Sequence, residues 1–395
     1  MSGETYLEIF EQHQIETPCY LFDKDVLLER VSKLKKLLRT CGAELCFAIK
    51  ANPFLIPMLD EVISKYEVCS PGELDICKKY GIKGEKIIFS GVVKSFDDML
   101  NALEYPVGVI TIESVRHWVL LKEAVKKTGK NTQVLIRLSS GAQFGMEKEE
   151  IRQVLNELQE EPAISFMGIH FFAGTQRKGN KYEKELPKLA AFMEELQEEF
   201  QFEEMRLEYG PGFAVPYFSG DSFDGEFDVV SGFADYVNEQ RFSFGITVEL
   251  GRYIAASCGY YVTQIVDIKK AEERNYCLVD GGIHHVNYYG QNMAMRTPIM
   301  HHLGEKEETD DEREYMICGS LCTFADILAR GVMLKNLQIG DFLIFENIGA
   351  YSVTEGSYLF LSRALPSIYV FDKEKGIQLL REKRCTWEIN SIKNE

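Results

Sequence analysis

No uninterrupted apolar run of about 18 residues occurs anywhere in this chain, so no membrane-spanning helix is expected. The N-terminus lacks a basic segment leading into an apolar one, so no secretory signal is expected either, and a soluble cytoplasmic protein follows. No basic stripe offsets a formal charge of -17, which would repel nucleic-acid phosphates. The ten cysteines include no Cys-x-x-Cys pair, which argues against a zinc ribbon and a dense disulfide framework alike. His284-His285 and His301-His302 are immediate neighbours, a spacing that seldom converges on one ion, so no metal is predicted. Internal repeats and low-complexity linkers are also lacking.

What is present is alternation. At 395 residues the chain suits a large core with an added module. Cys19 to Phe22 reads as a lone strand, and Leu27, Val31, Leu34 and Leu38 then recur at helical spacing. Cys46 to Asn52 reads as a short apolar strand delivering Lys50 at its end. Strand-length apolar runs follow near residues 66–69, 87–90, 107–112, 132–138, 164–172, 205–209 and 244–250, separated by helical patterns such as Leu186, Leu189, Met193 and Leu196. Eight such strands predict a (β/α)8 barrel over residues 25–253, with a doubly wound open sheet as the alternative. Past Arg252 the pattern becomes alternating strands such as Tyr261 to Val266, which predicts a mainly β domain from 254–395. The lone N-terminal strand, within 1–24, is expected to pair with it. The acidic stretch from Glu305 to Glu314 reads as a solvated loop.

A barrel of this kind carries its chemistry at the C-terminal strand ends. Those ends supply Lys50; Cys69 and Ser70 with Glu73 just beyond; Arg137; His170, Phe172, Gly174 and Thr175; Gly210-Pro211-Gly212; and Glu249-Leu250-Gly251-Arg252. A desolvated lysine can form a Schiff base with an aldehyde. Backbone N–H groups at Gly210 and Gly212, helped by the Thr175 hydroxyl, could cradle a phosphate, though the turn could equally be a tight loop. Glu249 needs a partner in a buried strand, and a structural salt bridge to Arg252 or Arg137 is one option. Together a lysine, an anion cradle and a carboxylate match pyridoxal 5'-phosphate, whose ring nitrogen the carboxylate would keep protonated.

These segments resemble the pyridoxal-phosphate decarboxylases of the alanine-racemase-like barrel fold, diaminopimelate and ornithine decarboxylases in particular. Phe47 to Asn52 is similar to their Schiff-base segment, and Val68 to Leu74 to the one that follows. Gly168 to Gln176 resembles the stretch that covers the cofactor ring and reaches its phosphate, Glu249 to Arg252 the pyridinium-binding motif, and Gly349-Ala350-Tyr351 a segment whose tyrosine lies near the cofactor. Cys318 to Thr323 resembles a motif whose cysteine acts across a head-to-tail dimer interface. The resemblance thus implies a homodimer, with Cys322 returning a proton to Cα in the partner's site after carbon dioxide leaves. The second domain would carry the dimer and substrate contacts.

Departures from the pattern bear on substrate. Phe172 stands where the family stacks a histidine, Pro211 interrupts the glycine cradle, and Thr323 replaces the acidic residue that binds a distal ammonium. Arg296 resembles the arginine that grips a distal carboxylate, while the tyrosine expected shortly after it is Met300. Arg252 and Tyr351 complete the expected substrate contacts. The resemblance implies an amino-acid decarboxylase. Alternatives are a specialised decarboxylase acting on glutamate tethered to an acyl-carrier protein, a racemase, or a non-catalytic regulator. An acidic carrier would meet an electrostatic objection unless a local basic patch exists.

Overall fold

A computed structural model describes residues 15–222, 225–288, 295–304 and 312–392. Eight parallel strands close into a barrel: β2 (Glu44–Ala48), β3 (Lys65–Val68), β4 (Ile87–Phe89), β5 (Val109–Ile112), β6 (Thr132–Arg137), β7 (Ile164–Phe172), β8 (Arg206–Gly210) and β9 (Gly245–Leu250). β9 pairs back onto β2, Cys46 facing Glu249, which excludes the open sheet. Each expected strand is present within a few residues. The first differs in its end: β2 stops at Ala48, and Ile49–Ala51 is a 3-10 turn, so Lys50 rides on a turn. Asn52 closes that turn with its backbone N–H on the Ile49 carbonyl at 3.0 Å, and its side chain caps the next 3-10 turn, Pro53–Leu55, by accepting from the Phe54 N–H at 3.1 Å.

Helix α1 (Lys24–Arg39) buries Leu27, Val31, Leu34 and Leu38, the stripe that its spacing predicts. After β3 comes α2 (Pro71–Lys79), with proline in its first turn and Ser70 as N-cap. Strand interiors are apolar on both faces, as in Val134, Leu135 and Ile136, because helices cover the outside while side chains fill the centre.

The chain divides into two compact units, one of residues 28–214 and 225–254, the other of residues 15–27, 215–222 and the described residues from 255 to 392. The second unit holds a nine-stranded sheet along the path β14-β13-β11-β10-β1-β16-β17, with β12 and β15 off it. These are β1 (Cys19–Asp23), β10 (Gly259–Ala271), β11 (Arg274–Val279), β12 (Met300–Leu303), β13 (Glu312–Cys318), β14 (Ile327–Lys335), β15 (Phe342–Phe345), β16 (Ser367–Asp372) and β17 (Gly376–Arg381). The N-terminal strand does join it: β1 lies antiparallel to β10 and parallel to β16. Of the acidic stretch, residues 305–311 lie outside the described residues, and Glu312 to Glu314 open β13 instead of lying in a loop. No described helix is long and apolar enough to cross a membrane.

Candidate active site

β2 sits between β3 and β9, and register decides what surrounds Lys50. Residue-for-residue pairing sets Ala48 opposite Glu67 on one side and Cys46 opposite Glu249 on the other. The Lys50 Nζ donates to Glu67 Oε2 at 2.8 Å and Oε1 at 3.2 Å, and lies 3.5 Å from Glu249 Oε1. The Cys69 thiol stands 3.4 Å from the same Nζ and donates to Glu67 Oε1 at 2.8 Å. The ring centre of Phe172 is 5.9 Å from the amine. Burial first, then the charge of Glu249, pushes the Glu67 carboxyl above the usual range, against the pull of Lys50.

Glu249 is bound differently from either expected salt bridge. Its Oε2 faces His170 Nε2 at 3.2 Å, while Arg137 is spent on both Glu113 oxygens at 3.2 Å and lies over the Phe144 ring. Arg252 instead donates its Nε–H to the Thr175 hydroxyl at 3.3 Å. Burial, and next the nearby Arg137, hold the His170 imidazole down at about 3, so the ring is neutral and offers Nε2–H to the carboxylate. The expectation that Arg137 binds the cofactor thus meets a guanidinium already paired. Ser70 and Glu73 likewise act on the backbone: the Ser70 hydroxyl accepts from the Glu73 N–H at 3.1 Å, and Glu73 Oε2 accepts from the Cys69 N–H at 2.7 Å. Together they fix the turn that presents Cys69.

The glycines are close-approach positions. Gly212 has φ +64°, and a Cβ there would lie 1.8 Å from the Gly174 carbonyl oxygen. A Cβ on Gly210 would strike the Phe172 ring, and one on Gly251 would crowd Ala51 and Ala48 behind the Lys50 turn. The barrel therefore brings Lys50, Phe172 and Glu249 together, and beside Thr175 and Arg252 it folds a backbone-lined glycine turn. Those residues fit pyridoxal phosphate: an amine for its aldehyde, an aromatic face, a buried carboxylate, and a side-chain-free turn with a hydroxyl.

Sequence reasoning passes over Glu67 and Glu208. Both are carboxylates flanked in their strands by buried apolar residues, Tyr66 and Val68 or Leu207 and Tyr209, the one signal that could have found them. Glu208 is 3% exposed, and burial with Glu249 raises its carboxyl well above the usual range.

The other expected residues lie in the β unit. Cys322 and Thr323 are exposed on the loop between β13 and β14, which Asp326 ties down by accepting from the Leu321 N–H at 2.6 Å and the Ile283 N–H at 2.8 Å. Tyr351 is half-buried with φ +69°. Arg296 donates to Asp221 Oδ1 at 2.6 Å and lies over the Phe218 ring at 4.2 Å. His301 and His302 face Glu346 and Asp341 separately, and no described cluster of three His, Cys, Asp or Glu could hold a metal.

Fold and site together define a barrel enzyme built for pyridoxal phosphate. Residues 24–256, more than half of the chain, match the pyridoxal-binding domain of the pyridoxal-dependent decarboxylases, and the chain belongs to that family. It is 29% identical to the L-glutamyl-[BtrI acyl-carrier protein] decarboxylase of Niallia circulans, over 94% of this chain and 92% of the relative. It is 25% identical to the diaminopimelate decarboxylase of Campylobacter jejuni, over 88% and 89%. The diaminopimelate decarboxylase structure from M. jannaschii shares its fold at a TM-score of 0.86 and 21% identity, covering 95% of this chain and 92% of that one. The lysine decarboxylase structure from Selenomonas ruminantium does so at 0.81 and 23%, covering 95% and 97%. This protein is a pyridoxal-phosphate-dependent amino-acid decarboxylase, a carboxy-lyase.

Proposed function

We propose that its substrate is an amino acid whose far end is not a free zwitterion, with a glutamyl group held as a thioester on a carrier protein as the best fit. The carrying observation is the 2.6 Å pair between Arg296 and Asp221. An arginine whose charge already meets a carboxylate 8% exposed has little left for a substrate's distal carboxylate. Thr323 supports the same reading, since it supplies no charge for a distal ammonium. The likeness to the carrier-dependent relative agrees with both.

In this reading Lys50 would hold the cofactor through its aldehyde, and the turn at Gly174, Thr175, Gly210 and Gly212 would hold the phosphate, with Arg252 steadying Thr175. Bound there, the cofactor supplies a sink for the electrons left at Cα when carbon dioxide departs. Glu249, its second oxygen fixed by His170, would hold a proton at the ring nitrogen. Glu67 holds or takes the proton of the Lys50 amine, and Phe172 packs beside it. Ser70 and Glu73 act on the cofactor through the Cys69 turn, Arg137 through its pairing with Glu113, and Gly251 by letting the Lys50 turn pack close. Cys322 would return the proton to Cα in the site of a second copy in a cytoplasmic homodimer, and Tyr351 would serve near the cofactor. An exposed thiol on an anchored loop supports that role.

Carbon dioxide release, scored against inversion at Cα, across diaminopimelate, lysine, ornithine, glutamate and a glutamyl thioester tests this. The thioester is expected to give the highest kcat/KM. Ornithine or free diaminopimelate as best substrate would sink the reading.

A further inference from the structure

Arg177 reaches the glycine turn from the loop that follows β7. Its guanidinium donates an Nη1–H to the Pro211 carbonyl at 3.3 Å, and its backbone N–H donates to the Gly212 carbonyl at 2.9 Å. The stem passes Gly174, where an added Cβ would lie 3.7 Å from Arg177 Cδ. One residue thus holds two successive carbonyls of the Gly210-Pro211-Gly212 turn.

The guanidinium is itself held. Glu185, in the first turn of the helix Tyr182–Phe200, accepts from Nη1 at 3.1 Å and from Nη2 as well, a two-point pair. Its Oε2 also accepts from the Tyr209 hydroxyl at 2.6 Å. Tyr209 is fully buried and immediately precedes Gly210 in β8, so the clamp is anchored on the strand that delivers the turn. The Arg177 and Glu185 side chains are 16% and 18% exposed, and the pair escapes much of the solvent screening that weakens surface ion pairs. Because Glu185 already meets the charge of Arg177, what this residue brings to the turn is direction and not net charge.

Direction matters because a peptide unit is planar and trans, so its N–H points opposite to its C=O. Fixing the Pro211 carbonyl on Arg177 sends the Gly212 N–H the other way, and fixing the Gly212 carbonyl does the same for the Phe213 N–H. Successive N–H groups facing one side form a concavity suited to an anion. Neither of these two meets an acceptor among the described residues, although Phe213 is 3% exposed. Pro211 sharpens the need for them, since it has no N–H to offer where a glycine would supply one.

We infer that Arg177, held by Glu185 and Tyr209, is a positioning residue of the phosphate site: by tying down the Pro211 and Gly212 carbonyls it aims the Gly212 and Phe213 N–H groups at the phosphate. This rests on the reading that the glycine turn holds the phosphate of the cofactor.

The test titrates full-length protein, stripped of cofactor, with pyridoxal phosphate and with pyridoxal, and follows visible absorbance. The two ligands share the aldehyde and differ only in the phosphate. Wild type is expected to bind pyridoxal phosphate at least about 100-fold more tightly. Arg177→Met should raise the Kd for pyridoxal phosphate about tenfold and Glu185→Gln about threefold, with the Kd for pyridoxal within about twofold of wild type in both. Inorganic phosphate should raise the Tm of stripped wild type and not that of stripped Arg177→Met. Arg177→Lys keeps the charge but loses the two-point fork, so it should weaken pyridoxal phosphate as Arg177→Met does. Should Arg177→Met fail to fold, Arg177→Lys and Glu185→Gln carry the same comparison. Wild-type affinity in Arg177→Lys would show that charge and not direction is supplied, and would overturn the assignment. Equal weakening of both ligands, or a wild-type ratio kept in every variant, would also overturn it while leaving the phosphate in the turn. A wild type that binds the two ligands equally would remove the phosphate from this turn, and the clamp with it.

Discussion

Lys50 reaches across from its 3-10 turn to donate to Glu67 Oε2 at 2.8 Å, so the amine proposed to take the cofactor rests on a carboxylate only 3% exposed. Strand pairing brings this about: Glu67 is the β3 residue opposite Ala48, and Glu249 enters from the other side of β2. An ammonium between two carboxylates is held in place, and each carboxylate is spared an unpaired buried charge.

Lys50→Ala should abolish both carbon dioxide release and the visible absorbance of bound cofactor. Glu249→Gln should keep that absorbance and lower kcat about 100-fold, because an amide cannot hold a proton at the ring nitrogen. Absorbance titrations beside single-turnover assays separate the two. A Glu249→Gln enzyme with wild-type kcat would show that this carboxylate does not set the ring's electron demand.

Gly212→Ala should fold poorly and bind pyridoxal phosphate at least about tenfold more weakly. The methyl would enter the space of the Gly174 carbonyl oxygen, at a φ of +64° that alanine adopts only at a cost of order 1 kcal/mol. Thermal melts with and without cofactor measure both effects. Unchanged affinity would remove the turn from the cofactor site.

Specificity should follow charge in the β unit. Thr323→Asp is expected to raise kcat/KM for ornithine or lysine by about tenfold, worth roughly 1.4 kcal/mol. Asp221→Asn, by freeing Arg296, should lower KM for free glutamate or diaminopimelate. If neither variant moves these ratios, the distal end of the substrate is read elsewhere.

Acid should weaken the fold at His284. The ring is 1% exposed, neither nitrogen has a partner among the described residues, and His285 lies 3.6 Å away, centroid to centroid. Burial, and then Arg363, holds this imidazole down at about 4, below the usual unfolded value near 6.5. Between those values the unfolded chain binds the extra proton, so stability falls as pH drops from 6.5 toward 4. At pH 5 the loss is about 2 kcal/mol, and His284→Met should gain that much relative to wild type between pH 7.5 and 5 in denaturant titrations. A pH-independent difference would mean that the folded chain binds this proton as readily as the unfolded one.

The order of strands and helices was legible in the sequence because alternation at two residues and recurrence at three to four are local properties of the chain. So was the kinship, since Phe47 to Asn52, Gly168 to Gln176 and Glu249 to Arg252 are contiguous segments. Partner choice was not legible. Glu249 meets Lys50 and His170 instead of an arginine, Ser70 and Glu73 turn to the backbone, and Arg296 is claimed by Asp221. Each of these contacts depends on which strands become neighbours when the barrel closes, or on where a distant loop returns. A chain read one residue after another carries the chemistry of its side chains, but only the register between strands sets the distances across which that chemistry acts.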